Sequence, residues 1–197
     1  MPALSADVVD ILIASDAWGT RQLLRVCGAL PGEQFHRRFE IGPGSLHDTI
    51  THMISAMRRW TDRLAERAVR APIEAIAARP DLKGDARQRT PAELLALLDE
   101  AERDLLATMR ALASAQGLGG MVTLEWPGAK GEVKVYRFTC AAVIAHVATH
   151  GYHHRAQCLN MLRQLGAPVP GVTSGYPELS AVDWQSEVES PPTIKGG

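Results

Sequence analysis

Four stretches of the chain repeat apolar residues every three to four positions, which is the period of an amphipathic α-helix. They cover residues 5–29, 45–69, 90–115 and 139–165. Each begins at a Ser or Thr that can cap a helix N-terminus, and Gly166-Ala167-Pro168 ends the last one. The pattern therefore predicts four long helices, with the apolar stripe of each one facing a common core.

Capping motifs strengthen two of these helix starts. Thr90-Pro91-x-Glu93 combines an N-cap Thr, a Pro at the first helical position and a Glu that reaches back. Ser45-x-x-Asp48 resembles the same capping box, with Asp in place of Glu. Shorter helical pieces are predicted over residues 33–38, 73–78 and 177–188.

A different pattern precedes the last long helix. Val122, Leu124 and Trp126 occupy alternate positions, and a turn-rich loop over residues 127–131 separates them from Val133 and Val135. This is typical of a β-hairpin, which is marginal alone and is expected to pack against the helices. The predicted fold is all-α, an up-down four-helix bundle with a small β-hairpin before the last long helix.

Composition supports a helical protein and narrows its partners. The chain has 197 residues, of which 46% are hydrophobic and only 5% aromatic, and this favours packed helices over a β-sandwich. Its 21 Lys and Arg residues balance 22 Asp and Glu residues, whereas a nucleic-acid-binding domain would show a basic excess. No apolar run is long enough for a membrane span. We therefore expect neither nucleic acid nor a membrane as a partner.

Cysteine usage and the N-terminus predict a cytoplasmic protein. Cys27, Cys140 and Cys158 are widely spaced and form no C-x-x-C motif, so neither a disulfide framework nor a zinc ribbon is indicated. The first residues include Asp7 and lack the basic and apolar regions of a signal peptide.

The number and spacing of the histidines suggest that the protein binds a metal ion. Of seven in the chain, four lie within nine positions of the last helix, namely His146, His150, His153 and His154. His146, His150 and His154 follow one another at intervals of four, so their rings form a ridge on one helix face. Two histidines at this spacing can bind one metal ion from a single helix.

A further histidine, His52, lies within the apolar face of the second long helix. If the two helices face each other, three imidazoles can hold one divalent ion and leave a coordination position open, as in catalytic zinc sites. Nickel, iron and manganese are alternatives to zinc, because ligand type alone does not select the metal. His47 is five residues from His52 and points to another side of the helix.

Three segments together resemble a known family. They are L-H-D-T-I-T-H-M over residues 46–53, H-V-A-T-H-G-Y-H-H-R-A-Q over residues 146–157, and L-R-Q-L-G over residues 162–166. The chain resembles the DinB/YfiT-like family of metal-binding four-helix bundles from its first helix to about Gly166. One departure is Ala156, where relatives commonly have Gly. The resemblance implies a single DinB-like domain over residues 1–189, followed by a frayed polar tail over residues 190–197.

The resemblance implies the ligand set His52, His150 and His154. Position 146 is often His in relatives without being a ligand, so His146 is expected to pack beside the site, and His153 is expected at the surface. Cys158 lies one turn beyond His154 and is a minor alternative ligand.

Three polar side chains are candidates for orienting the ligands, and each has a structural alternative. Gln157 lies three residues beyond His154 and can orient it or simply pack between helices. Asp48 lies one turn before His52 and can act beside the metal or only cap its helix. Arg155 can bind a carboxylate at the site or form a structural ion pair.

The family implies two reactions: metal-dependent hydrolysis, or transfer of a low-molecular-weight thiol such as bacillithiol or mycothiol to a small-molecule substrate. It also implies a homodimer, for which the Leu-rich first and third long helices offer an apolar surface. The alternative is a non-catalytic metal-binding stress-response protein or a dimeric scaffold.

Overall fold

The computed structural model describes residues 7–74, 85, 87–127, 132–167 and 179–189. These residues are mostly helical and contain one two-stranded antiparallel sheet. In chain order the elements are α1 (Val8–Gly28), α2 (Gly32–His36), α3 (Leu46–Leu64), α4 (Pro91–Gln116), β1 (Met121–Pro127), β2 (Val133–Thr139), α5 (Cys140–Gln164) and α6 (Ala181–Trp184), followed by a π-helical turn, Gln185–Glu189.

The four long helices pack around a shared apolar core. Helices α1 and α3 each contact both α4 and α5, and the core between them includes the fully buried side chains of Leu23, Ile54, Leu98 and Leu162. The predicted helical fold with one hairpin is confirmed. The predicted limit of four helices is not confirmed, because the fold also contains the short helix α2, which packs against α3, and the short helix α6, which packs against α1.

The caps explain where the long helices begin. The full capping box at Thr90 and Glu93 is present, and the Thr139 hydroxyl accepts a hydrogen bond from Ala142 N at 3.1 Å. The Ser45 hydroxyl likewise accepts from Asp48 N at 3.0 Å. Helix α1 is capped by Asp7, whereas the predicted cap Ser5 lies outside the described residues.

The predicted end of α3 near residue 69 is wrong. The helix ends at Leu64, and Glu66 then adopts a left-handed conformation with φ of 52°. The buried Asp62 carboxylate causes the turn, since it accepts hydrogen bonds from the Arg67 side chain at 3.0 Å and from Arg70 N at 2.9 Å. These contacts fold the chain back onto the end of the helix, which then cannot continue.

The predicted hairpin is confirmed, and its register decides which side chains face the helices. Val122 pairs with Phe138 and Leu124 pairs with Tyr136, so these four side chains share one face of the ribbon. Val122 and Leu124 are buried, and Phe138 contacts the ring of Trp60 on α3 at a centroid distance of 6.5 Å. The hairpin is therefore attached to the helices through its inner face.

The shorter predicted helices have mixed outcomes. The piece predicted over residues 33–38 is confirmed as α2, and the terminal one begins later than expected, at Ala181. Ile73 and Glu74 are not helical, and residues 75–78 lie outside the described residues. The predicted tail over residues 190–197 is outside them as well. Among the helices of the described ranges, none is sufficiently long and apolar to cross a bilayer.

Candidate metal centre

Helices α3 and α5 bring His52, His150 and His154 together. The His52 ring lies 5.1 Å from that of His150 and 4.8 Å from that of His154, measured between centroids. Eight residues farther along α3, the Trp60 ring lies 5.2 Å from that of His146, which precedes His150 by one turn. The two helices therefore run antiparallel, with the histidine cluster between them.

The spacing of the three rings suits a single metal ion. One nitrogen from each histidine can be chosen so that all three lie within 4.8 Å of one another. His52 Nε2 and His150 Nε2 are 3.2 Å apart. Nitrogens bound to tetrahedral zinc at about 2.0–2.1 Å are separated by roughly 3.3 Å, so this pair is already at a ligand-to-ligand distance.

The cluster has the composition of an open site. Among the described residues, the His, Cys, Asp and Glu side chains close enough to share one ion are these three histidines, with no fourth member. Three protein ligands leave a coordination position for a small molecule, whereas closed structural zinc sites use four.

The environment of His150 and His154 favours the neutral form of both imidazoles. Burial, together with the neighbouring His154, His52 and His146 and the charge of Arg59, lowers the pKa of His150 to about 3. Burial also lowers the pKa of His154, although its hydrogen bond with Gln157 acts in the opposite direction. A metal binds the neutral form of imidazole, so both rings are ready to bind at neutral pH.

Gln157 orients one of the rings. Its Oε1 accepts a hydrogen bond from His154 Nδ1 at 2.8 Å, which leaves His154 Nε2 as the free lone pair. The same amide donates to His153 Nε2 at 3.0 Å. The backbone of Gly42 lies so close that an added Cβ would be 2.1 Å from Gln157 Oε1. The hydrogen bond from His154 Nδ1 to Gln157 Oε1 supports the orienting role predicted for Gln157.

Glu74 is a residue that sequence reasoning missed. Its Oε1 lies 3.5 Å from His52 Nδ1 and 2.6 Å from Arg59 Nη1. Burial works against ionisation, but the hydrogen bonds from His52 and Ser55 and the charge of Arg59 leave the pKa of Glu74 below its usual value. The carboxylate therefore stays charged and faces the His52 nitrogen that is not directed at His150. No periodic pattern marks this position, because Glu74 lies in an irregular connection.

Asp48 and His47 form a separate network. The Asp48 carboxylate binds Arg38 and lies 2.9 Å from His47 Nδ1. The other ring nitrogen of the buried His47, Nε2, accepts from Arg89 N at 3.0 Å. Both nitrogens of His47 are thus occupied away from the cluster. Asp48 lies in the first turn of α3, where Ser45 is the cap and the Asp48 carboxylate faces Arg38 and His47. Its proposed action beside the metal stays a prediction.

Arg155 forms the structural ion pair that was the alternative to a role at the site. It binds the Asp16 carboxylate, and its Nη1 also donates to Asp16 O at 3.0 Å. Both side chains are buried between α1 and α5. Gly151 makes room for this pair, since an added Cβ would be 1.9 Å from Asp16 Oδ1. A glycine inside a predicted helix was the available signal for this close contact.

The remaining candidates lie around the cluster. His146 is exposed and contacts both Trp60 and the His150 ring, at a centroid distance of 5.7 Å from the latter. His153 is exposed, as expected. Cys158 is fully buried, and burial raises the pKa of its thiol well above the usual value. It does not belong to the three-histidine group, so its alternative role as a ligand has no support.

Fold and site together define a helical protein with a three-histidine cluster that could hold a metal ion. The sequence model of the DinB family matches residues 7–187, and the chain belongs to this family. The predicted family is thereby confirmed. A comparison with curated proteins finds none that matches this chain.

Proposed function

We propose that this DinB-family protein binds one divalent metal ion through His52, His150 and His154 and uses the open coordination position for catalysis. The observation that carries the proposal is the convergence of three imidazoles without a fourth ligand among the described residues. Zinc is the first choice of metal, and nickel, iron and manganese suit the same nitrogen donors.

Each residue around the cluster has a role in this proposal. A divalent ion held by these three imidazoles would polarise and acidify a small molecule in its open position. Gln157 and Glu74 each face the Nδ1 of one ligand ring, which directs the opposite nitrogen toward the shared centre. The buried pair of Arg155 and Asp16 holds α5 against α1 and thereby positions His150 and His154.

The attacking group is proposed to come from a small molecule. All three cysteines of the chain are buried, and Cys158, which is nearest in sequence to the ligands, lies in the core. Two reactions fit this arrangement: hydrolysis, in which water attacks, and S-transfer, in which a low-molecular-weight thiol attacks. The alternative is a non-catalytic metal-binding or scaffold protein. The up-down bundle, the homodimer and the cytoplasmic location stay predictions.

Metal analysis of purified protein tests the ligand set. We expect about one ion per chain in the wild type and in His36→Ala, a matched control at a histidine that contacts His47 and lies outside the three-histidine group. His52→Ala and His150→Ala should each lose most of the metal. Full occupancy in both ligand variants would overturn the proposed site.

Activity assays then separate the two reactions and the alternative. Metal-loaded protein is incubated with ester substrates, and separately with a thiol and a panel of electrophiles. Turnover that is lost in His150→Ala supports an enzyme, and the productive panel identifies the reaction. Absence of turnover in every assay with fully loaded protein would favour the non-catalytic alternative.

A further inference from the structure

An apolar cavity lies between α3 and the hairpin. It has a volume of about 280 Å³ and is lined by Trp60, Leu124, Tyr136 and Phe138. The Tyr136 and Phe138 rings are nearly parallel, with an angle of 7° between their planes and 6.1 Å between their centroids. Leu124 is 4% exposed and Tyr136 is 42% exposed, so the cavity has a closed apolar floor and an aromatic wall at its mouth.

Two ring contacts lead from the wall of this cavity to the histidine cluster. Trp60 contacts His146 at 5.2 Å, and His146 contacts the ligand candidate His150 at 5.7 Å, both between centroids. Along α3, Trp60 lies eight residues beyond His52, which corresponds to about 12 Å of helix rise. A molecule of modest length could therefore occupy the cavity with one end and reach the cluster with the other.

Size and lining indicate what kind of group fits. An apolar cavity of about 150 Å³ is enough to bind benzene, so this one has room for one or two rings. It is smaller than a typical site for a whole ligand, which spans roughly 300–1,000 Å³, and thus suits only part of a molecule. Aromatic walls favour an aromatic guest, because edge-to-face and offset-stacked rings attract one another beyond simple burial.

We propose that the cavity of Trp60, Leu124, Tyr136 and Phe138 binds an aromatic group of the substrate, while the reactive end of the same molecule lies at the histidine cluster. The substrate class is accordingly a small aromatic compound with its reactive group roughly 10–12 Å from the ring, an estimate whose upper bound is the helix rise between His52 and Trp60. Only the placement of the reactive end rests on the proposed function. The aromatic site itself requires no metal.

Binding to metal-free protein tests the cavity alone. The four tryptophans are labelled with 5-fluorotryptophan, and the Trp60→Phe variant assigns the Trp60 signal in the fluorine NMR spectrum. On titration with benzyl alcohol we expect a saturable shift of the Trp60 signal, with little change for the buried Trp18 and Trp184. Glycerol should cause no such shift. No movement at Trp60, or equal movement at Trp18 and Trp184, would overturn the proposal.

Two variants on one strand separate specific binding from adhesion to the hairpin. Tyr136→Ser removes the wall at the mouth and should weaken benzyl alcohol binding at least five-fold. Val135→Ser is the matched control, since Val135 is 58% exposed and adjacent residues of a strand face opposite sides. Both positions are exposed, so neither change empties the core. Equal affinity in the two variants would contradict the assignment.

Cobalt-loaded protein tests the link to the cluster. Thiolate binding to cobalt produces a charge-transfer absorption, and the probes are butanethiol and 4-phenylbutanethiol. We expect the phenyl compound to bind at least five-fold more tightly, with the difference lost in Tyr136→Ser. Equal affinities would overturn the proposed placement. If neither thiol reaches the metal, S-transfer is excluded as the proposed reaction and the placement of the reactive end is overturned, while the Trp60 shift in metal-free protein still decides whether the aromatic site exists.

Discussion

His154 Nδ1 donates a hydrogen bond of 2.8 Å to Oε1 of Gln157, which lies one turn farther along α5. The bond sets which nitrogen of His154 carries the proton and which one is left with a free lone pair. The Gln157 amide is itself held by His153 and enclosed by the backbone at Gly42. The orientation of this ligand candidate is therefore determined by a loop and by its own helix together.

Removing the Gln157 acceptor should weaken metal binding without removing a ligand. For Gln157→Leu we expect a 10- to 100-fold loss of metal affinity, the usual effect of losing a partner that orients a ligand. Competition with a chromophoric chelator measures the affinity. Gln164→Leu, at an exposed position on the same helix, is the control and should bind as the wild type does. If Gln157→Leu bound metal with wild-type affinity, Gln157 would have no orienting role at the site.

Gly42 should be required for the position of Gln157. In Gly42→Ala the new Cβ would meet Gln157 Oε1, and the residue would keep a positive φ of 50°, which is unfavourable for Ala. We expect lower metal affinity in the same chelator assay. Gly28→Ala, where an added Cβ meets nothing within 4 Å, should be neutral. The idea fails if both variants bind metal equally well.

Glu74 should support His52 through charge. Glu74→Gln keeps the shape but removes the negative charge that faces His52 Nδ1 and Arg59. Because a nearby carboxylate raises the basicity of a ligand imidazole, we expect about a ten-fold loss of metal affinity. Glu100→Gln, on the exposed surface of α4, serves as control. Equal affinities for the two variants would show that the carboxylate has no influence on the site.

Breaking the buried ion pair should destabilise the whole protein. Asp16→Asn leaves the Arg155 guanidinium buried without a countercharge, and loss of one partner of such a pair typically costs about 3–5 kcal/mol. Urea unfolding followed by circular dichroism measures the free energy of unfolding. Asp10→Asn removes the charge that pairs with the exposed Arg110 and should change the free energy of unfolding little. Similar stabilities of the two variants would argue against an energetic role for the Asp16–Arg155 pair.

The metal-free protein should lose stability in acid. The pKa of His150 is about 3 in the folded protein and about 6.5 in an unfolded chain, so the unfolded state binds more protons between these values. Stability that is present above about pH 6.5 is therefore lost as the pH falls toward 3. Urea midpoints measured from about pH 7.5 down to 5 should decline less steeply in His150→Gln than in His153→Gln. Parallel curves for the two variants would contradict this linkage.

Local sequence determined much of the fold. The start of α4 follows from Thr90, Pro91 and Glu93, whose capping box forms within four consecutive residues. The hairpin follows from alternation on either side of a turn-rich loop. The end of α3 could not be predicted in this way, because the buried Asp62 carboxylate draws in Arg70, eight residues away. Helical periodicity carries no information about such a contact.

In the candidate site, too, local sequence predicted some features, whereas others depended on tertiary packing. The four-residue spacing of His150 and His154 predicts two neighbouring imidazoles, because the helix repeat alone puts them on one face. The contribution of His52 required the packing of α3 against α5 and agreed with the family resemblance. Glu74 was not predicted, because it lies in an irregular connection and its contact with His52 spans 22 residues of the chain. A structural ion pair was one of the two roles predicted for Arg155, but its partner Asp16, 139 residues away in the chain, was not predicted.

The sequence by itself determined the helices, the hairpin, the family and the histidine ridge of α5, because each depends on residues close together in the chain or on a recognisable motif. Only the tertiary structure decided that Glu74 faces His52, that Asp48 binds Arg38 and His47, and that an aromatic cavity lies between α3 and the hairpin. These contacts depend on how separate elements pack. The packing of the elements depends on the whole core, so these contacts cannot be predicted from any single segment of the sequence.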